Sequence, residues 1–299
     1  MIKKIDIHTH LTAFPNIVPT RLRDGSRFLC MEEQIEIHDN LNVEYGVILP
    51  IIAPECQWMT MSNEEAKTIA DRRPDRFFWF CNVDPRAGSY SSDSDLEHII
   101  GHYKELGAKG LGELTTQMYA DDPMMDNLFG ACERLDMPVL IHIAPQIGGT
   151  YGIVDEMNLP RIEKMLKKHP DMKLIGHSQC FWSAISSDVN EGNWHKSPNG
   201  KVTEGRLAEL LREYGNLYCD VSAGSGSRAF MRDPEYDAKF IAEFADRIYY
   251  GADVCSVTNT FQYDFDAFLT KMVDDGMVSR ENYEKIVRRN AEKPLGLAE

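Results

Sequence analysis

At 299 residues the chain fits one large domain or two small ones, and 43% hydrophobic residues supply enough apolar material for a sizeable core. Thirty-two Lys and Arg against 47 Asp and Glu leave a net charge of −15, which opposes binding to phosphate backbones and anionic membranes. No apolar run reaches the length of a membrane-spanning helix. Residues 1–5 lead straight into a strand-like run without a secretory h-region, so a cytoplasmic location is expected. The seven cysteines are scattered, odd in number and form no CxxC pair, which speaks against a disulfide framework or a structural zinc site. Cys81 and Cys219 read as buried thiols in apolar strands. Cys180 and Cys255 fall just past strand ends, where they would line a pocket wall.

In chain order, the first two strand candidates are Ile2–His8 and Tyr45–Ile51. The capping-box spacing Ser62-Asn63-Glu64-Glu65 then opens a helix over Ala66–Arg73, followed by strand Phe77–Val83. Helix Asp95–Leu106 leads to strand Lys109–Leu114, and helix Asp126–Leu135 to strand Val139–Ile143. Helix Pro160–Lys168 precedes strand Lys173–His177. Phe181–Val202 is then the longest irregular segment, rich in Ser, Asn and Gly with Trp182 and Trp194, placed as a lid or substrate wall. Helix Glu204–Tyr214, strand Leu217–Val221, helix Asp237–Phe244 and strand Ile248–Gly251 follow, then helices Phe261–Asp275 and Arg280–Ala291. Most of the eight strands are nearly continuous apolar runs, as parallel strands covered by helices require. The regular alternation argues for an α/β fold, either one barrel or a doubly wound sheet, with 1–299 as a single domain.

Strand after strand ends in a residue suited to metal binding or proton transfer. The first ends Asp6-Ile7-His8-Thr9-His10, the fourth carries Gly112-Glu113 and the fifth Leu140-Ile141-His142. The sixth closes on His177 and the eighth on Gly251-Ala252-Asp253. In an α/β barrel such residues converge at one mouth. Strand alternation puts His8 and His10 on one face, with Ile7 and Thr9 turned toward the helices. One histidine in an apolar strand is more often a satisfied core residue. Three strands ending in His and two in carboxylates point instead to a metal site. His38, His98, His102 and His169 lie in helical patterns or at a helix end and read as surface or interhelical. Arg21, Arg23 and Arg228 occupy rim positions after strands one and seven, where a guanidinium suits bidentate recognition of a carboxylate.

At these residues the chain resembles the amidohydrolase superfamily. More narrowly it is similar to the amidohydrolase-related group that contains aminocarboxymuconate-semialdehyde decarboxylase. The likeness runs from Asp6-Ile7-His8-Thr9-His10 through His142 and His177 to Gly251-Ala252-Asp253 and the terminal Lys285–Ala291. It implies a (β/α)8 TIM barrel with one or two divalent ions, zinc first, which would activate water at neutral pH. By that pattern His8, His10, His142 and Asp253 match metal ligands. His177 matches either a ligand of a second ion or the catalytic histidine of one-ion members, and Asp253 the proton acceptor. Glu113 departs from the decarboxylases and resembles the bridging carboxylate of the TatD-like two-metal branch. Asp6 and Asp220 would either orient the histidines or anchor strand ends.

The leading expectation is a metal-dependent hydrolase of an amide, ester or lactone in a small carboxylated substrate. Trp182, Arg21, Arg23 and Arg228 would contact that substrate. The alternative is a non-oxidative decarboxylase with His177 as proton donor. A nuclease would use the same ligands, but the −15 charge and the lack of a basic stripe count against nucleic acid as a partner. Neither a membrane nor another macromolecule is expected as partner, apart from a second copy in a symmetric homodimer.

Overall fold

The computed structural model describes residues 2–21, 25–56, 60–196 and 199–297. Eight parallel strands stand at the eight expected places, most of them shorter than expected. They are β1 (Lys4–Thr9), β2 (Val43–Ile48), β3 (Phe77–Trp79), β4 (Leu111–Leu114), β5 (Val139–Ala144), β6 (Leu174–His177), β7 (Leu217–Asp220) and β8 (Ile248–Tyr249). β1, β2 and β3 pair in order, and so do β4 to β8. Two seams join these halves. Cys81 bridges to Leu111, and the Gly112 N–H donates to the Cys81 carbonyl at 2.8 Å. On the other side the Ile7 N–H donates to Tyr250 at 3.1 Å and the Asp253 N–H to His8 at 2.9 Å. The sheet closes on itself, and the fold is a (β/α)8 barrel.

The helices packed outside are α1 (Met31–Asn40), α2 (Asn63–Arg72), α3 (Leu96–Glu105), α4 (Pro123–Arg134), α5 (Pro160–Lys168) and α6 (Gln179–Ser183). After them come α7 (Arg206–Glu213), α8 (Ala223–Met231), α9 (Pro234–Phe244), α10 (Phe261–Asp274), α11 (Arg280–Glu284) and α12 (Asn290–Leu295). A π-helical turn, Lys285–Arg289, joins the last two into one rod. The Ser62 hydroxyl caps α2 by accepting from the Glu65 N–H. None of the helices among the described residues is long and apolar enough to cross a membrane.

Two apolar layers follow from strand alternation. Val43, Phe77, Leu111, Val139, Ile141, Leu174, Leu217 and Cys219 face the helices, against residues such as Ile69, Leu128, Ile162 and Leu211. Ile5, Ile7, Val47, Phe80, Leu140, Ile175 and Tyr249 fill the barrel interior with Ala291 and Leu295 of α12.

β1 breaks the alternation. Asp6 pairs with Gly46 and Thr9 with Ile48, so three steps in β1 oppose two in β2. That extra residue is a β-bulge, and it corrects the expectation for Ile7. Ile5 and Ile7 face inward below the bulge while His8 and His10 face inward above it. Asp6 and Thr9 turn outward beside His38 of α1.

The Ser225–Ser227 stretch, just before the Arg228 expected at the rim, is helical in α8. Gly and Ser are weak helix formers, but position 226 admits only glycine: a Cβ there would sit 2.2 Å from the Val221 carbonyl oxygen. Likewise the start of the long irregular segment is the short helix α6, all of whose apolar side chains are buried.

Among the described residues, one buried carboxyl outside the barrel lacks any partner. Asp237 of α9 is fully buried, and neither oxygen has a hydrogen-bond partner among the described residues. Burial, with Asp233 adding to it, pushes this carboxyl up to about 9. The folded state therefore keeps a proton that the unfolded chain releases above about pH 4, and stability drains away as pH rises from there to about 9. Asp237→Leu should raise stability on the order of 1–3 kcal/mol at pH 8 and by less at pH 5. Urea melts at the two pH values check this; an equal gain at both would refute it.

Candidate metal centre

Strand ends carry the chemistry to one mouth. His8 and His10 lie above the β1 bulge, Glu113 is on β4, His142 on β5, His177 closes β6 and Asp253 follows β8. All are buried except His142 and Asp253, which are partly exposed. The His8 and His10 Nε2 atoms stand 3.0 Å apart. Glu113 Oε2 is 3.6 and 3.3 Å from them, and Asp253 Oδ1 is 3.5 and 3.6 Å from them. Zn–N bonds of about 2.0–2.1 Å imply tetrahedral edges of about 3.3 Å, the scale of these separations.

The hydrogen bonds behind the two imidazoles fix their state. His8 Nδ1 faces the Asp220 carboxylate at 2.6 Å, and His10 Nδ1 faces the Leu49 carbonyl at 3.0 Å. Both partners only accept, so the neutral rings carry their hydrogens on Nδ1. Two Nε2 lone pairs and two carboxylate oxygens then point at one place, which only a positive charge can hold together. The electrostatics agree. Burial would lower the pKa of His8, but Asp253, Asp220 and Glu113 outweigh it and hold it well above the usual range. Burial would raise Glu113, yet His8, His10 and His142 draw it well below the usual carboxylate range. The donor set fits a divalent cation.

Glu113 faces two ways. Its Oε1 lies 2.7 Å from His142 Nδ1, while Oε2 lies beside His8 and His10. The ligand atoms accordingly fall into overlapping groups, His8–His10–Glu113 and Glu113–His142–His177, with His177 also in reach of His8 and Asp253. Asp253 itself has φ 49°, a left-handed backbone that turns its carboxylate back over the mouth.

Of Asp6 and Asp220, it is Asp220 that orients the histidines. Burial would raise its pKa, but the imidazoles of His8 and His177 hold it far below the usual range. Its Oδ2 is 3.1 Å from His177 Nδ1 and accepts from the Ser222 hydroxyl at 2.7 Å. Asp6 instead anchors strand ends, its Oδ1 accepting from the backbone N–H of His8 and Ala252 at 2.9 Å each. Asp220→Asn should therefore weaken metal binding about 10–100-fold, the usual scale for losing a ligand's outer hydrogen-bond partner. Titration against a chelator checks this, and parent-like affinity would reduce Asp220 to a strand anchor.

Two spaces adjoin the cluster. A small pocket of about 40 Å³ is lined by His10, Ile51, Cys56, Glu113, His142, Tyr151, Asp253 and Cys255. Beyond His142 opens a cleft of about 630 Å³, walled by Gln146, Thr150, Gln179, Cys180, Glu191, Trp194 and His195 among others. The long segment thus supplies a wall of that cleft through Trp194 rather than Trp182.

Trp182 corrects the substrate reading. It is 2% exposed, packs edge-on against Phe230 and Phe181, and donates its indole N–H to the Asp220 carbonyl. Helix α6 turns the ring into the core, so no substrate reaches it. Arg228 is exposed on α8 and is not among the residues lining either space. Arg23 lies outside the described residues. Arg21 is electrostatically close to the pocket: burial and Asp253 push the Cys255 thiol well up, and the Arg21 guanidinium pulls against them. Two contributors went unread in the sequence. Ser222 Oγ lies 3.1 Å from both His8 Nδ1 and His177 Nδ1, and Tyr151 packs on His142 with ring centres 4.6 Å apart. Neither a serine after a strand nor a tyrosine in a loop carries a signal of its own.

A model of the amidohydrolase family matches residues 5–297, spanning every one of these strand ends. The chain belongs to the amidohydrolase family. Its fold is shared by an uncharacterised TIM-barrel protein from Bordetella bronchiseptica, at 17% identity and TM-score 0.65 over 99% of both chains. A probable 2-pyrone-4,6-dicarboxylic acid hydrolase from Acinetobacter baumannii, with citric acid bound, aligns at 14% identity and TM-score 0.61. That alignment covers 99% of this amidohydrolase and 100% of the other chain. A dihydroxybenzoic acid decarboxylase from Polaromonas sp. JS666, with manganese and 2-nitroresorcinol bound, aligns at 17% identity and TM-score 0.57 over 99% and 98%. No curated protein matches this amidohydrolase significantly. Structural neighbours of the family fold thus include both hydrolases and decarboxylases.

Proposed function

We propose that this amidohydrolase hydrolyses an amide, ester or lactone bond in a small carboxylated molecule, using two divalent ions, zinc first, that share Glu113. The two-sided placement of that carboxylate, between His8 and His10 on one oxygen and His142 on the other, carries the reading. His8, His10 and Asp253 would hold one ion, His142 and His177 the other. When bound, the metal supplies a Lewis acid that acidifies water and polarises a carbonyl. Asp253, whose Oδ2 faces His177 Nε2 at 3.7 Å, takes the proton from the attacking water and passes it to the leaving group. Asp220 and Ser222 fix the His177 ring, and Tyr151 walls the pocket beside His142. A space of about 40 Å³ holds little more than one water-sized group. Only the reacting end enters it; the remainder lies in the cleft, with Arg21 supporting an anionic group at the Cys255 side.

A one-ion decarboxylase is the second reading. It is favoured by His177, whose Nδ1 is satisfied by Asp220 and Ser222 so that Nε2 is left to deliver a proton. Both readings require metal. Protein purified without chelators should carry one or two divalent ions per chain by elemental analysis. Failure to take up Zn²⁺, Mn²⁺ or Co²⁺ would sink both.

A further inference from the structure

The cluster contains a sulfur that neither reading uses. Cys255 Sγ lies 3.2 Å from Asp253 Oδ1, and that oxygen is 3.6 Å from His10 Nε2. Within the described residues His10, Asp253 and Cys255 form a ligand group of their own, all donor atoms within 4.8 Å of one another. With Zn–S about 2.3 Å and Zn–O about 2.0–2.2 Å, a tetrahedral S···O edge is about 3.5 Å, so Sγ stands at ligand spacing from the carboxylate. The thiol also lines the small pocket that His10 and His142 line. Cys56 lines the same pocket, but its Sγ is turned to the Thr115 hydroxyl at 3.2 Å and it belongs to no ligand group among the described residues.

Resting on the metal-dependent reading above, we propose that Cys255 is a further metal ligand, completing a mixed imidazole, carboxylate and thiolate site on the pocket side of Asp253. On binding, the Cys255 S–H bond breaks, its proton leaves to solvent, and the sulfur lone pair forms the bond to the ion. A thiolate in the set selects soft and borderline ions, so Zn²⁺, Co²⁺ and Cd²⁺ are preferred over Mn²⁺ and Mg²⁺. No carboxylate–histidine site of the same geometry would make that distinction as sharply.

Cobalt substitution tests this without reference to turnover. The Co²⁺-loaded full chain should show a sulfur-to-cobalt charge-transfer band in the near ultraviolet beside its visible ligand-field bands. Cys255→Ser should abolish the first and keep the second, whereas Cys56→Ser should keep both. Cys255→Ser should also lower the affinity for Cd²⁺ relative to Mn²⁺ by about a hundredfold. Ligand-field bands without a charge-transfer band, or a band that survives Cys255→Ser, would overturn the assignment while leaving the metal centre standing. A chain that binds no cobalt would remove the metal-dependent reading along with it. Should Cys255→Ser fail to fold, alkylation decides: the thiol should label in the metal-free parent and be protected in the loaded protein, and equal labelling of both forms refutes the proposal.

Discussion

Asp253→Asn is expected to lower turnover by about 10²–10⁴-fold, the usual scale for losing a positioned general base, with a melting curve like the parent's when both are metal-free. The substitution isolates charge from shape. Asp253 holds φ 49°, and asparagine is one of the few residues that accepts a left-handed backbone at small cost, so the turn after β8 survives. Its N–H still donates to the His8 carbonyl, which keeps that seam of the barrel closed. What disappears is the anionic oxygen 3.5 and 3.6 Å from the two Nε2 atoms and the ability to take up a proton beside His177. Turnover of any substrate found for the parent, read beside a thermal melt, decides the matter. Near-normal activity would show that another group moves the proton.

Glu113→Ala separates hydrolase from decarboxylase. Under two-ion hydrolysis the metal content should fall from about two per chain to about one, and hydrolysis should collapse. The methyl group can no longer join the His8–His10 side to the His142–His177 side. If instead one ion is held by His8, His10, His142 and Asp253, parent and variant should both contain about one, and only the pocket wall changes. A parent ratio firmly at one, unchanged in Glu113→Ala, would withdraw the main support for hydrolysis. Loss of folding is guarded against by Glu113→Gln, which fills the same space and can still hydrogen-bond His142 while giving up the negative charge.

Much of this architecture was legible because parallel strands are buried on both faces and read as apolar runs. The residues brought together at the mouth were legible because each interrupts such a run at its end. What escaped was set by features that a simple apolar pattern does not show. α1 is built largely of polar residues, Glu32, Glu33, Gln34 and Glu36 among them, and shows a narrow apolar stripe. α8 is rich in Gly and Ser, which read as loop, and its Gly226 answers to a close approach to Val221 that composition does not encode. Trp182 sits in a Ser- and Gly-rich neighbourhood that suggests a loop, whereas Phe230 and Phe240, about fifty residues away, supply the nest for its ring. The inward aim of Ile7 could not be read at all, since the bulge that causes it is a property of pairing with β2.

The seam between β8 and β1 joins parts of the chain 246 residues apart, through the Asp6 carboxylate on the Ala252 N–H. His8 and His10 stand on one side of that seam and Asp253 on the other. An ion gripping all three would act as a clasp on the ring. It would fasten the first and last strands of the barrel, where closing so long a loop costs the chain most entropy. Binding at the centre would then add RT ln(1 + [M]/Kd) to the stability of the closed barrel as the metal M saturates it. Without an ion the barrel would keep the same hydrogen-bonded seam, held less firmly at this one joint.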